Sequence, residues 1–235
     1  MSNVLIACEE SQTVCIEFRK KGHNAFSCDL QQCSGNHPEW HFYGSVFDVI
    51  NGGNLVTQSG EQVYIPKWDL MIGHPPCTYL SYVGNAWLNV DKYGIKAIQR
   101  HKDRAEALEF FYLLWTADID HICLENPRGY AQQFIKHSQI IQPYYFGDST
   151  SKTTLLWLKN LPPLLHSKTD TLFTEKTHVD KGEMTISDKT KNNNGSKELF
   201  DWEIVRLPKE ERSRIRSKTF PGIARALAEQ YGSLI

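Results

Sequence analysis

The sequence predicts an α/β protein built on an open, mostly parallel sheet flanked by helices, with a small irregular insertion in its second half. Two observations lead there. Short apolar runs at 4–7 (VLIA), 25–29 (AFSCD), 68–73 (WDLMIG) and 121–126 (HICLEN) are continuous rather than alternating, the pattern of strands covered on both faces. Helical periodicities fall between them, and strand, helix, strand in that order implies right-handed crossovers and parallel pairing. Such a sheet binds its ligands at the carboxyl ends of its strands.

Between the first two runs, Val14 and Phe18 stand four apart on one helical face, and Gly22 follows Lys20 and Lys21 as a helix stop. The stretch 51–66 (NGGNLVTQSGEQVYIP) is rich in turn formers and predicts a surface excursion or a small hairpin. The longest helix is expected over 95–117, where Ile98, Ala105, Leu108, Tyr112 and Trp115 make one apolar stripe. Beyond it, 153–165 (TTLLWLKNLPPLL) reads as apolar and broken by proline, and 188–198 (DKTKNNNGSKE) as a polar loop. A last helix over 221–232 has Pro221 in its first turn and Ile223, Leu227 and Tyr231 at four-residue spacing. These elements divide into a core, 1–145, an insertion, 146–210, and a segment, 211–235, whose helix returns to the core.

A chain of 235 residues is long enough to bury one large core. With 26 Lys and Arg against 27 Asp and Glu, the formal charge of -1 excludes a protein that coats nucleic acid, so such a partner must meet a local patch. The cationic cluster is RSRIRSK at 212–218, with Arg212, Arg214, Arg216 and Lys218; it is either a grip for phosphates or a solvated face balanced by Glu210 and Glu211. The first ten residues carry no basic leader, and no segment approaches the ~18 apolar residues that span a bilayer. A cytoplasmic protein without a membrane partner is expected, and nothing in the sequence fixes an oligomeric state. The six cysteines are expected as reduced thiols. Cys28, Cys33, His37 and His41 are spaced somewhat as zinc ligands are, but Cys28 lies inside a predicted strand, and no metal is expected.

The chemistry gathers at two strand ends. The strand at 68–73 runs into His74, Pro75, Pro76 and Cys77. Two prolines fix φ and remove two backbone donors, so the chain must leave the sheet stiffly and carry the thiol outward. Cys77 is then a nucleophile, or else a small inert core residue. The run LENPRGY places Glu125, Asn126 and Arg128 after the strand at 121–124, on the same sheet edge. A thiol, an acid and a cation in one place form a constellation for covalent catalysis.

These residues carry a resemblance. HPPCTYLS resembles the Pro-Cys nucleophile loop of DNA cytosine-5 methyltransferases, and ENPRGY resembles their Glu-Asn motif, in the right order. The closer similarity is to the short phage and prophage DNA cytosine methyltransferase-like proteins, through ACEESQTV, FRKKGHNAFSCDL, WDLMIGHPPCTYLS, ENPRGY, KTTLLWLKNLPPL and RSKTFPGIARALAEQYG. The resemblance covers nearly the whole chain. It implies a Rossmann-like class I methyltransferase fold, a cytoplasmic location in a bacterium or phage-infected host, DNA as partner, and 146–210 in place of a target-recognition region. It implies too that Cys77 adds to C6 of a flipped cytosine, that Glu125 protonates N3, and that Asn126 or Arg128 holds the extruded base.

The implied donor is S-adenosylmethionine, but the glycine-rich turn that normally follows the first strand is replaced by Ala7, Cys8, Glu9 and Glu10. Those residues and Pro75 are expected to border the donor, with Asp29 on its ribose hydroxyls and Asp48 on its adenine amine. Two alternatives stay open: the same cysteine chemistry with a non-methyl donor or a nucleotide substrate, and a catalytically inactive DNA-binding protein.

Overall fold

The computed structural model describes residues 1–170, 175–180, 208 and 218–235. Its main sheet has seven strands, β1 Asn3–Ala7, β2 Asn24–Asp29, β3 His41–Tyr43, β6 Leu70–Gly73, β7 His121–Pro127, β8 Gln139–Ile141 and β9 Thr154–Lys159, in the order β3-β2-β1-β6-β7-β9-β8. The neighbours from β3 to β7 pair in parallel, whereas β9 runs antiparallel to both β7 and β8. A separate hairpin joins β4 Gly53–Val56 to β5 Gln62–Ile65, inside the turn-rich stretch 51–66. The described helices are α1 Thr13–Lys20, the short α2 Val90–Tyr93, α3 Ile95–Trp115 and α4 Pro221–Gly232.

The four apolar runs are β1, β2, β6 and β7, and their side chains are divided between two cores. On one face Leu5, Met71 and Leu124 pack with Phe111 and Leu114 of α3. On the other, Val4, Ile6, Ile72, Cys123 and Leu156 pack with Val14 and Phe18 of α1 and Ile223, Leu227 and Tyr231 of α4. Each such side chain removed from water contributes about 1.5–3 kcal/mol, which is why strands covered on both sides contain hardly a polar residue. From β1 the chain runs outward through β2 to β3 and then crosses back to β6 on the other side of β1. The crevice outside the ends of β1 and β6 is therefore the switch point of the sheet.

The structure departs from the sequence reading in places. The buried face of α3 is Ala97, Arg104, Phe111 and Leu114, while Ile98 and Tyr112 are 53% and 54% exposed. A stripe picked from apolar residues alone is turned round the helix because Arg104 lies on the inner face, where its guanidinium has partners. Residues 154–159 form one unbroken strand; Pro162 and Pro163 come after it, past Asn160 at φ 55°. β3 and β8, three residues each, are too short for a pattern to show. The expected boundary at 145 falls between β8 and β9, neighbours in one sheet.

Candidate active site

Gly73 of β6 lies opposite Leu124 of β7, so His74 leaves β6 beside Glu125, which, with Asn126, is still inside β7 and paired with β9 rather than past the strand as the sequence suggests. Pro75 is buried, and Pro76, Cys77 and Thr78 are exposed. The Cys77 carbonyl accepts from the amides of Leu80 and Ser81 at 3.1 and 2.9 Å, closing a turn directly after the prolines. Of the six cysteines, none in a disulfide, Cys77 is the exposed one. Burial pushes the thiols of Cys8, Cys15 and Cys123 up, and that of Cys28 up to about 12, which keeps them protonated and inert.

Several side chains hold the nucleophile loop. Asn126, 2% exposed, donates from Nδ2 to the Pro75 carbonyl at 2.7 Å. From α3, Arg100 Nη2 donates to the Thr78 carbonyl at 3.0 Å and Arg104 Nε to the Tyr79 carbonyl at 2.9 Å. Their guanidinium groups lie over the rings of Tyr79 and Tyr130. The Tyr130 amide donates to the Leu80 carbonyl at 2.6 Å, and Ser81 bridges Gly129. Gly129 is there because of this approach: a Cβ on it would fall 2.1 Å from the Leu80 oxygen.

Glu125 Oε2 accepts from His74 Nδ1 at 3.2 Å. Burial works against its charge, but the His74 hydrogen bond, the Lys152 charge and a Thr154 hydrogen bond overcome it and hold the carboxyl below its ordinary value. These four residues, with Thr219 and Phe220 on the approach to α4, line a narrow pocket.

At the end of β1, Ala7 is buried and its carbonyl accepts from the His74 amide at 2.9 Å. Cys8 and Gln12 adopt positive φ, 61° and 58°, so the left-handed geometry usual for glycine is present without it. Glu9 is 4% exposed and accepts from the Val14 and Cys15 amides at 2.7 and 3.2 Å, capping α1. Burial nevertheless raises its carboxyl above the ordinary value. Glu10 accepts the Ser34 hydroxyl on Oε2, while its buried Oε1 has no partner. Asp29, half-buried at the end of β2, accepts from the Gln31 amide at 2.9 Å and is raised by burial; Asp48 is exposed.

The structure ties Asn126 to Pro75, Glu125 to His74 and His74 to Ala7, and carries Cys77 two residues past Pro75 on the exposed loop. The Asn126 Nδ2 group expected to face a base is bonded instead to Pro75. Arg128 lies outside the buried set, exposed, its carbonyl accepting from the Tyr82 amide. Lys218 is exposed ahead of α4, and Arg212, Arg214 and Arg216 lie outside the described residues. The sequence reading missed His74, Lys152, Thr154, Arg100 and Arg104. His74 was visible as the histidine next to the two prolines; the two arginines carried no signal, because their partners, the Thr78 and Tyr79 carbonyls and, for Arg104, the Asn85 side chain, are distant in sequence.

Among the described residues, no group of three or more His, Cys, Asp or Glu is placed to hold a metal ion, and no helix is long and apolar enough to cross a membrane. No protein-family model matches the chain, and no curated protein matches it. Fold and site together define an α/β protein with a mostly parallel mixed sheet. At its carboxyl edge stand an exposed thiol in the loop after β6 and a partnered carboxylate on the adjacent β7.

Proposed function

We propose that this protein is a DNA cytosine-5 methyltransferase of the short phage and prophage kind, in a class I methyltransferase fold, with S-adenosylmethionine as donor. One observation carries the reading: Cys77 is exposed just past β6 while Glu125 stands at the end of the adjacent β7. Cytosine C5 is a poor nucleophile until a thiolate adds at C6. Cys77 forms that bond, Glu125 gives a proton to N3, and the enamine carbon attacks an electrophilic methyl; loss of the C5 proton then expels the Cys77 thiolate from C6 and N3 gives its proton back. The base must leave the duplex first, at a cost of a few kcal/mol. Asn126, Arg100 and Arg104 hold the thiol loop in place for the attack.

The residues fit the donor at its polar groups. The unpartnered Glu10 Oε1 suits a cationic amine, and the half-buried Asp29 suits ribose hydroxyls, with Asp48 toward the adenine amine. Cys8, Glu9 and Pro75 border that crevice. Once bound there, the donor supplies the methyl group. Asp29→Ala is expected to weaken its binding by roughly 1.5–3 kcal/mol, about ten- to hundredfold, in calorimetry.

A second reading keeps Cys77 and Glu125 with a different donor. What favours it is Glu9, whose carboxylate already occupies the α1 amides that would otherwise receive an anionic group. Mass spectrometry of nucleosides from DNA of cells expressing the protein decides between them. 5-Methylcytosine with wild type and none with Cys77→Ala supports the methyltransferase. A heavier group at C5 supports the other donor, and unmodified cytosine removes both.

A further inference from the structure

His74 is the residue that neither the nucleophile nor the acid accounts for. Its side chain is 9% exposed, Nδ1 is bonded to Glu125, and Nε2 is buried without a hydrogen-bond partner. His41, the other deeply placed histidine of the sheet, shows what a structural ring looks like here: Nδ1 meets the Ser27 hydroxyl at 2.8 Å and Nε2 meets the Gln31 carbonyl at 3.0 Å. His74 has one nitrogen satisfied, and that one is directed to the acid. The charged groups facing it come from three sides. Glu9 lies at the end of β1, Glu125 on β7, and Lys152 beyond Glu125 on the way into β9.

Glu125 has a problem that His74 can solve. Its partners hold the carboxyl ionised, yet protonating cytosine N3 requires it to deliver a proton. Resting on the proposed attack of Cys77 on cytosine, we propose that His74 is a positioning residue that stores this proton and hands it from Nδ1 to Glu125 Oε2. The step balances. The proton starts on Nδ1, in its hydrogen bond to Glu125 Oε2. As the Cys77 sulfur bonds to C6, the C5–C6 π pair shifts to C4–C5 and the C4–N3 π pair onto N3; Nδ1 gives its proton to Glu125, and Glu125 gives one to N3. When the thiolate leaves again, N3 returns its proton along the same route.

The role is testable without any methyl donor, because reversible addition at C6 lets the C5 hydrogen exchange with water. The measurement is release of tritium from [5-³H]cytosine in DNA as a function of pH, with wild type, His74→Asn and His74→Gln. Asn keeps a donor near the Nδ1 position but stores no proton, so Glu125 must then be protonated from solvent. The falling limb should move to lower pH, so release near neutrality drops and recovers as the solution is acidified. His74→Gln, with its donor farther out, should recover in the same way; it also serves if the Asn protein melts early. Equal loss at every pH, or no loss, overturns the storage role. Failure of wild type to release tritium at any pH overturns the cysteine reading itself, and the His74 role with it.

Discussion

Asn126 and Pro75 make the residue-scale case. A buried carbonyl at the root of the nucleophile loop has its donor in the amide of the residue following the acid, so one side chain ties the two strand ends together. Asn126→Ala leaves that carbonyl unsatisfied, and the expected loss is about 1–3 kcal/mol in urea unfolding. Exchange at cytosine C5 should slow as well, through the rate more than through DNA affinity. Glu9 gives a pH dependence of definite sign. Burial raises its carboxyl in the folded protein, so the folded state binds the extra proton. Its contribution to stability is complete below the ordinary carboxyl value and is lost as pH rises through the raised one. Glu125, held low, works the other way, its contribution being lost as pH falls below the ordinary value. Glu9→Gln should therefore flatten the decline in stability above the ordinary carboxyl range and leave the acid limb unchanged. An undiminished decline in denaturation series across that range would assign it elsewhere.

At the scale of elements, α3 has two duties. Phe111 and Leu114 seal one core, and Arg100 and Arg104, a turn apart nearer its start, hold the loop that follows Cys77. Phe111→Ala should cost about 3–5 kcal/mol. Ile98→Ala, on the exposed side, should stay within about 0.5 kcal/mol. Reversed magnitudes would restore the stripe that the sequence suggests. Gly129→Ala places a methyl against the Leu80 carbonyl, so the loop must shift; lowered thermal stability together with slower exchange is expected. The contrast between α3 and the strands shows what the sequence makes legible. β1, β2, β6 and β7 announce themselves because both faces are buried, and α4 because Pro221, Ile223, Leu227 and Tyr231 are all used as their spacing implies. Cys77 is legible because two prolines stop β6 before it, and Glu125 because it lies in the apolar run of β7 close to Pro127. Arg104 is not, since a buried polar residue becomes intelligible only once its partners are located.

For the whole molecule, the formal charge of -1 leaves DNA attraction to local features, and the site sits where the sheet changes direction. The two strand ends that hold Cys77 and Glu125, and the turn after β1 beside them, come from segments far apart in sequence, so one folded sheet is required to assemble them. The account stands on a covalent bond between Cys77 and cytosine. DNA in which 5-fluorocytosine replaces the target base tests it most directly, because fluorine cannot leave as a proton after attack and transfer, so the adduct persists. With S-adenosylmethionine present, wild type should give a protein–DNA band that survives denaturation, mapped by peptide mass to Cys77, and Cys77→Ala should give none. Absence of that band with wild type across a library of sequence contexts, or its persistence in Cys77→Ala, would contradict the account.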